Sequence, residues 1–150
     1  MGELLRSNPK LFVQFHEPNS KKWIANLFNT FLDEKENFNF KYTIIHGDFD
    51  ISNILVDPES FKVTGIVDFE EARIYDPAAD FLFFDQGDEF IQEMLSNYKG
   101  EIDNNFQKRM KFLYGRACLA YIEFGLKHKL PDLVNVGFEL LEIRMKRFPI

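Results

Sequence analysis

The chain has 150 residues, 45% hydrophobic and 28% charged, which suits one soluble globular domain that buries most of its apolar side chains. Its net charge of −6 is unevenly spread, because residues 46–104 hold 15 Asp and Glu against three Lys and Arg, while the remainder is net basic. That balance argues against nucleic acid as the main partner, since a phosphate backbone demands the opposite sign, and it favours metal cations or a cationic small molecule near the middle of the chain.

Residues 1–17 are weakly patterned and contain Pro9, which fits a short helix or a lead-in to the first firm element. They hold no apolar core of signal-peptide length, and Arg6 stands where a myristoylation site would want Ser or Thr. No later stretch approaches the roughly 18 consecutive apolar residues of a membrane span, so a cytoplasmic location is expected. The lone Cys118 falls inside a predicted helix and reads as a small apolar residue in a reducing compartment. Eighteen Phe residues predict an aromatic core rather than a ligand box.

Asn19 and Ser20 are candidate N-caps for a helix reaching about Leu32, because Trp23, Leu27 and Phe31 recur at four-residue spacing. The polar run 33–39 closes it. Three apolar strands follow at 42–45, 53–56 and 62–67. Asp57-Pro58-Glu59-Ser60 lies between the last two, and a type I turn there makes them an antiparallel hairpin with Asn53 opposite Gly65 or Ile66. Asn53 and Asp68 then emerge at one open end, about 4.8 Å apart in the simplest geometry, and Asp48 sits in the loop leading into that end.

Beyond the hairpin, Asp76 is placed to cap a short helix with Pro77 at its first position, ending near Gly87. A helix is predicted over 88–98. Another is predicted over 104–128, with Phe106, Met110, Leu113, Ala117, Ala120 or Tyr121, and Phe124 on one face. The last spans 131–147, with Leu133, Val136, Leu140, Leu141 and Met145 inward. Together these give an α+β fold, mainly helical, with a small antiparallel sheet.

Two carboxylates about 5 Å apart repel by roughly 3 kcal/mol at an effective dielectric of 20, so Asp48 and Asp68 at one strand mouth need a cation, protonation or separation. Oxygen donors without His or Cys suit a hard ion such as magnesium. His46-Gly47-Asp48, four residues and Asn53, then an apolar strand ending Ile66-Val67-Asp68-Phe69, resemble the catalytic and metal-binding loops of the aminoglycoside phosphotransferase and choline kinase-like families. The likeness covers Ile44 to about Phe84 firmly and the later helices loosely.

The resemblance implies a protein-kinase-like C-terminal lobe and ATP- or GTP-dependent phosphoryl transfer to a hydroxyl of a small molecule. On that likeness Asp48 is the catalytic base, while Asn53 and Asp68 hold Mg2+ on the nucleotide phosphates. His46 braces the loop, Asp80 accepts loop backbone N–H groups, and Asp76 supports the site as a cap. Glu70 and Glu71 depart from the small residue many members carry after the Asp-Phe pair, which makes them candidates for an acidic acceptor-binding pocket.

No Gly-rich loop or partnered strand lysine is recognisable among the 41 residues before Tyr42, too few for a nucleotide lobe. The expectation is one domain over 1–150, incomplete and inactive alone, whose partners are the small-molecule acceptor and a missing N-terminal lobe or partner chain. A non-catalytic lobe that binds metal or a partner protein is the alternative. A metal-dependent phosphohydrolase ranks third, since it would show more His and Asp ligands.

Overall fold

The computed structural model describes residues 18–149. The weakly patterned stretch 1–17 therefore lies outside the described residues. The described residues divide into two compact units, one drawn from 18–35 with 112–149, the other being Glu36–Lys111.

The first unit is helical. Helix α1 (Pro18–Leu32) opens on a proline rather than on the expected Asn19–Ser20 cap, because proline has no N–H to leave unsatisfied in a first turn. Ser20 is buried instead, and its hydroxyl donates to Met145 Sδ at 3.7 Å. Trp23 is the anchor of a core shared with Cys118, Ile122, Val134, Phe138 and Leu141. Its indole N–H donates to the Phe148 carbonyl at 2.7 Å, so the ring brings its polar atom inside without a desolvation debt. Phe31 stacks on Phe112 with ring centroids 3.7 Å apart.

Helices α3 (Phe106–His128) and α4 (Pro131–Arg147) occupy the expected spans, and Phe106, Met110, Leu113 and Leu141 are buried as expected, but the second half of α3 and part of α4 turn other residues inward. On α3 the buried row runs Tyr114, Cys118, Ile122, while Tyr121 and Phe124 are exposed. On α4 it is Val134, Gly137, Phe138 and Leu141, and Val136 is exposed. Two glycines set this. A Cβ on Gly137 would meet Ile122 Cγ1 at 2.5 Å and the Ile122 backbone nitrogen at 2.9 Å, and one on Gly125 would meet the Val134 nitrogen at 2.9 Å. The helices cross where each offers a glycine to the other's backbone, and that approach outranks the larger side chains in choosing the face.

The second unit holds the strands. Strand β1 (Thr43–Ile45) pairs antiparallel with β4 (Arg73–Tyr75), Ile44 facing Ile74. Strands β2 (Ile54–Val56) and β3 (Val63–Ile66) form the expected hairpin, with Ile54 facing Ile66 and a shift between Leu55 and Val56. The small sheet is thus two separate two-stranded ladders, and β4 was not among the predicted strands because three residues give almost no periodicity.

The hairpin loop is wider than a type I turn. Asp57 accepts the Phe61 amide at 2.9 Å, donates its own amide to Lys62, and gathers the Glu59 and Ser60 amides on its carboxylate. Phe61 closes the loop at φ 54, so β3 starts one residue late. Asn53 in consequence faces Val67, not Gly65 or Ile66: its carbonyl accepts the Val67 amide at 3.0 Å.

Two 3-10 turns, Pro77–Asp80 and Phe84–Gln86, replace the single helix expected to end near Gly87. Helix α2 (Asp88–Asn97) follows. Ile45, Ala78, Phe81, Phe84, Ile91, Leu95, Phe106 and Met110 are buried in this unit, with Phe81 edge-on to both Tyr98 and Phe106.

Candidate active site

The site is built on the loop after β1. Ile45 is 2% exposed and ends the strand inside the unit, His46 is still buried, and the chain reaches the surface at Asp48. Gly47 takes φ +86, and a Cβ there would run into the Glu71 carbonyl and sit 2.8 Å from an Arg73 guanidinium nitrogen. Only glycine lets the loop pass so close to residues 71–73. Asp48 follows with its side chain exposed.

Four hydrogen bonds fix this loop to the rest of the site. The amides of His46 and Gly47 both donate to the Asp80 carboxylate, at 2.7 and 3.0 Å. The Asn53 side-chain amide donates to the Asp48 carbonyl at 2.9 Å. His46 Nε2–H donates to the Val67 carbonyl at 2.8 Å. The imidazole is 7% exposed and packs on Phe69, and its Nδ1 has no hydrogen-bond partner among the described residues.

Asn53, in the turn just before β2, and Asp68, two residues past the end of β3, flank the open end of the hairpin. Asp50 caps the turn Ile51–Asn53 that carries Asn53 toward β2, and the Ser52 amide and hydroxyl on its carboxylate hold its pKa below the usual value. With its nitrogen committed to Asp48, Asn53 has its side-chain oxygen left as a donor atom. Val67 has its N–H on Asn53 and its C=O on His46, and the next residue, Asp68, is exposed in the left-handed region at φ 65. Aspartate is one of the few residues that tolerates this conformation, which elsewhere costs roughly 1–2 kcal/mol. A carboxylate and a carboxamide oxygen fit a hard divalent ion whose other ligands are phosphate and water. Among the described residues no three His, Cys, Asp or Glu gather as a self-sufficient metal cage.

Glu70 and Glu71 are exposed, and Arg73 donates to the Glu71 carbonyl at 2.8 Å. Neither glutamate lines the cavity of about 180 Å3 beside Asp48, whose walls are residues 47–50 with Ala79, Leu82, Phe83, Asp85 and Gln86. Asp50, Asp85 and Gln86 are thus site-facing residues that sequence reasoning did not single out. Asp85 and Gln86 belong to an isolated 3-10 turn with no motif spacing to mark them.

An ion cluster of buried Arg109 and Asp76 with half-buried Asp103 lies next to the site. Arg109, 1% exposed, donates from Nε to Asp76 at 2.7 Å and forks onto both oxygens of Asp103 at 2.8 and 2.7 Å. Burial alone would lower the arginine pKa, but the bonds from Asp103 and Asp76 carry it above its ordinary value. The other Asp76 oxygen accepts the Ala78 amide at 3.0 Å and caps the Pro77–Asp80 turn. An arginine inside an apolar helical stripe, one residue before Met110, was the signal available in the sequence.

The sequence profile of the phosphotransferase enzyme family (APH) matches residues 5–100. Among curated proteins, the chain is 26% identical over 106 residues to uncharacterized protein YcbJ of Bacillus subtilis (strain 168), covering 67% of this chain and 34% of that protein. It is 31% identical over 119 residues to acyl-CoA dehydrogenase family member 11 of Gallus gallus, covering 75% and 14% respectively.

Among solved structures, the GDP complex of aminoglycoside 2'-phosphotransferase-IIIa superposes with a TM-score of 0.79 at 22% identity, over 93% of this chain and 52% of that one. A GDP and kanamycin complex gives 0.76 at 22%, over 92% and 51%. Macrolide 2'-phosphotransferase type I gives 0.67 at 21%, over 77% and 40%. The mainly helical architecture with its short antiparallel strands is therefore the kinase-like fold of these enzymes, and this chain spans about half of their length or less. With the profile matched over more than half of its residues, the chain belongs to the phosphotransferase enzyme family.

Proposed function

We propose that this chain is the C-terminal, catalytic lobe of an enzyme that transfers the γ-phosphoryl group of ATP or GTP to a hydroxyl of a small, amine-bearing molecule in the cytoplasm. The observation that supports this reading is the run of hydrogen bonds from the Asp48 carbonyl to Asn53 and from Asn53 to Val67, the residue before Asp68, on a loop pinned by Asp80 and His46.

In this reading the acceptor enters the cavity beside Asp48, and the Asp48 carboxylate orients its hydroxyl. The hydroxyl oxygen bonds to the γ-phosphorus as the bond from that phosphorus to the bridging oxygen breaks. The proton passes to Asp48, and the nucleoside diphosphate departs with the electron pair. Asn53 and Asp68 would hold the magnesium ion, which when bound neutralises charge developing on the phosphates. The acidic wall formed by Asp48, Asp50 and Asp85 favours a cationic acceptor. A second lobe, or a partner chain, supplies the rest of the phosphate clamp.

The test is product analysis on the protein assembled with its nucleotide-binding lobe, given ATP or GTP, Mg2+ and a panel of amino sugars, aminoglycosides and amino alcohols. Phosphorylated acceptor detected by mass spectrometry supports the transferase. Free phosphate alone would mean a hydrolase, and nucleotide binding without either product would mean a non-catalytic module.

A further inference from the structure

Arg109 is the largest side chain among those less than 2% exposed, and nothing in the proposed chemistry uses it. Its guanidinium is enclosed by the Phe40 and Phe106 rings, 4.9 and 5.7 Å from their centroids, and by two carboxylates. A buried ion cluster is a poor source of stability, because desolvating the charges consumes most of what their attraction returns, and apolar side chains of similar volume often do as well. What an apolar side chain could not do is orient Asp76.

The orientation has a destination. Asp76 uses one oxygen for Arg109 and the other for the Ala78 amide, so the arginine fixes the start of a turn only four residues long, Pro77–Asp80. That turn ends at Asp80, whose two oxygens take the amides of His46 and Gly47, the two residues before Asp48. An unbroken run of hydrogen bonds and one tight turn thus joins Asp103 to the loop that carries the proposed base. We infer that Arg109 is a positioning residue for the Asp48 loop, acting through Asp76 and the Pro77–Asp80 turn to hold the Asp80 carboxylate under the His46 and Gly47 amides. The consequence for catalysis rests on the reading of Asp48 given above, whereas the positioning itself does not.

The experiment compares Arg109→Met, Arg109→Lys and Asp103→Asn with the unaltered protein by amide hydrogen exchange and by steady-state kinetics of the assembled enzyme. Arg109→Met should speed exchange at the His46 and Gly47 amides about tenfold, the equivalent of roughly one lost hydrogen bond each, while Cys118, Ile122 and Phe138 exchange as before. It should lower kcat about tenfold or more with the nucleotide KM within about twofold. Lysine can reach Asp76 with one donor but cannot fork onto Asp103, so Arg109→Lys should restore part of both effects.

Unchanged exchange at His46 and Gly47 in a folded Arg109→Met protein would overturn the inference, as would equal acceleration at every core amide. If Arg109→Met does not fold, Asp103→Asn decides. It frees one side of the guanidinium, and it should speed the same two amides about threefold; no change there refutes the inference. Should those amides respond while Asp48→Asn keeps full turnover, the proposed function fails and the positioning stands. Should Asp48→Asn abolish turnover while the Arg109 variants leave both amides unmoved, the positioning alone fails.

Discussion

Asp80 Oδ2 lies 2.7 Å from the amide nitrogen of His46, 34 positions earlier in the chain, and this bond ties the turn after β4 to the loop after β1. The Gly47 amide occupies the second oxygen. A carboxylate accepts both donors, whereas a carboxamide offers one oxygen and turns an NH2 group toward the other amide. Asp80→Asn should therefore cost about 1–3 kcal/mol. Urea unfolding would register it as a lower midpoint at unchanged slope.

The same loop gives the sharpest functional expectation. Asp48 is exposed and is held through its backbone rather than its side chain, so replacing the carboxylate disturbs the chemistry more than the fold. In the assembled enzyme Asp48→Asn should lower turnover by about two to four powers of ten, with nucleotide affinity nearly unchanged. Single-turnover kinetics alongside nucleotide titration separates the two quantities. Near-normal turnover would remove Asp48 from the mechanism.

Asn53 and Asp68 should bind Mg2+ or Mn2+ weakly without nucleotide and more tightly with it, because two protein oxygens leave most of the coordination sphere to phosphate and water. Paramagnetic broadening by Mn2+ should reach the signals of these two residues first. Broadening spread evenly over the acidic surface from residue 46 to residue 104 would refute the assignment.

The sequence carried the spacing of His46, Asp48, Asn53 and Asp68 and the extents of α1, α3 and α4, since those depend on local periodicity and on a motif of fixed intervals. It placed Phe106, Met110, Leu113 and Leu141 inward correctly but not the residues that face the core in the second half of α3. Tyr121 and Phe124 look like core residues until Gly125 meets Val134 and Gly137 meets Ile122, contacts between the backbones of two different helices that no local periodicity reveals. Nor did it carry the partners of Arg109, because Asp76 and Asp103 lie 33 and 6 positions away and only the folded turn aligns them. The acid-lined cavity was likewise hidden, because Asp85 joins Asp48 through tertiary packing, whereas Glu70 and Glu71 stood out by departing from the family pattern and lie outside that cavity's lining.

Acid should loosen the ion cluster through Asp103. The fork from Arg109, aided by the Asn105 amide, holds the Asp103 carboxyl below its ordinary range. A depressed folded-state pKa means that the unfolded chain binds the proton first, so the contribution of Asp103 is present above about pH 4 and is lost as pH falls through the folded value. Carboxyl chemical shifts followed from pH 6 to pH 2 should show Asp103 titrating below an ordinary aspartate. In Arg109→Met that depression should shrink, and a midpoint for Asp103 at or above the ordinary value in the unaltered protein would contradict the geometry.

The last expectation concerns the chain by itself. The groups gathered about Asp48 are acidic or neutral, namely Asp50, Asp85 and Gln86 with Asn53 and Asp68 alongside, and Arg73 is engaged with the carbonyl and carboxylate of Glu71. Phosphoryl transfer is mostly positioning plus stabilisation of charge on the transferred group, and that charge is negative. Among the described residues, a site of this composition can orient a hydroxyl and share a metal ion, but its acidic groups repel a triphosphate. The purified 150-residue chain should therefore unfold cooperatively and yet leave the acceptor unphosphorylated, whereas adding a nucleotide-binding lobe should restore product. Robust acceptor phosphorylation by the chain alone, read by mass spectrometry, would show that it clamps nucleotide by itself or across a pair of copies, and the two-lobe reading would then be wrong.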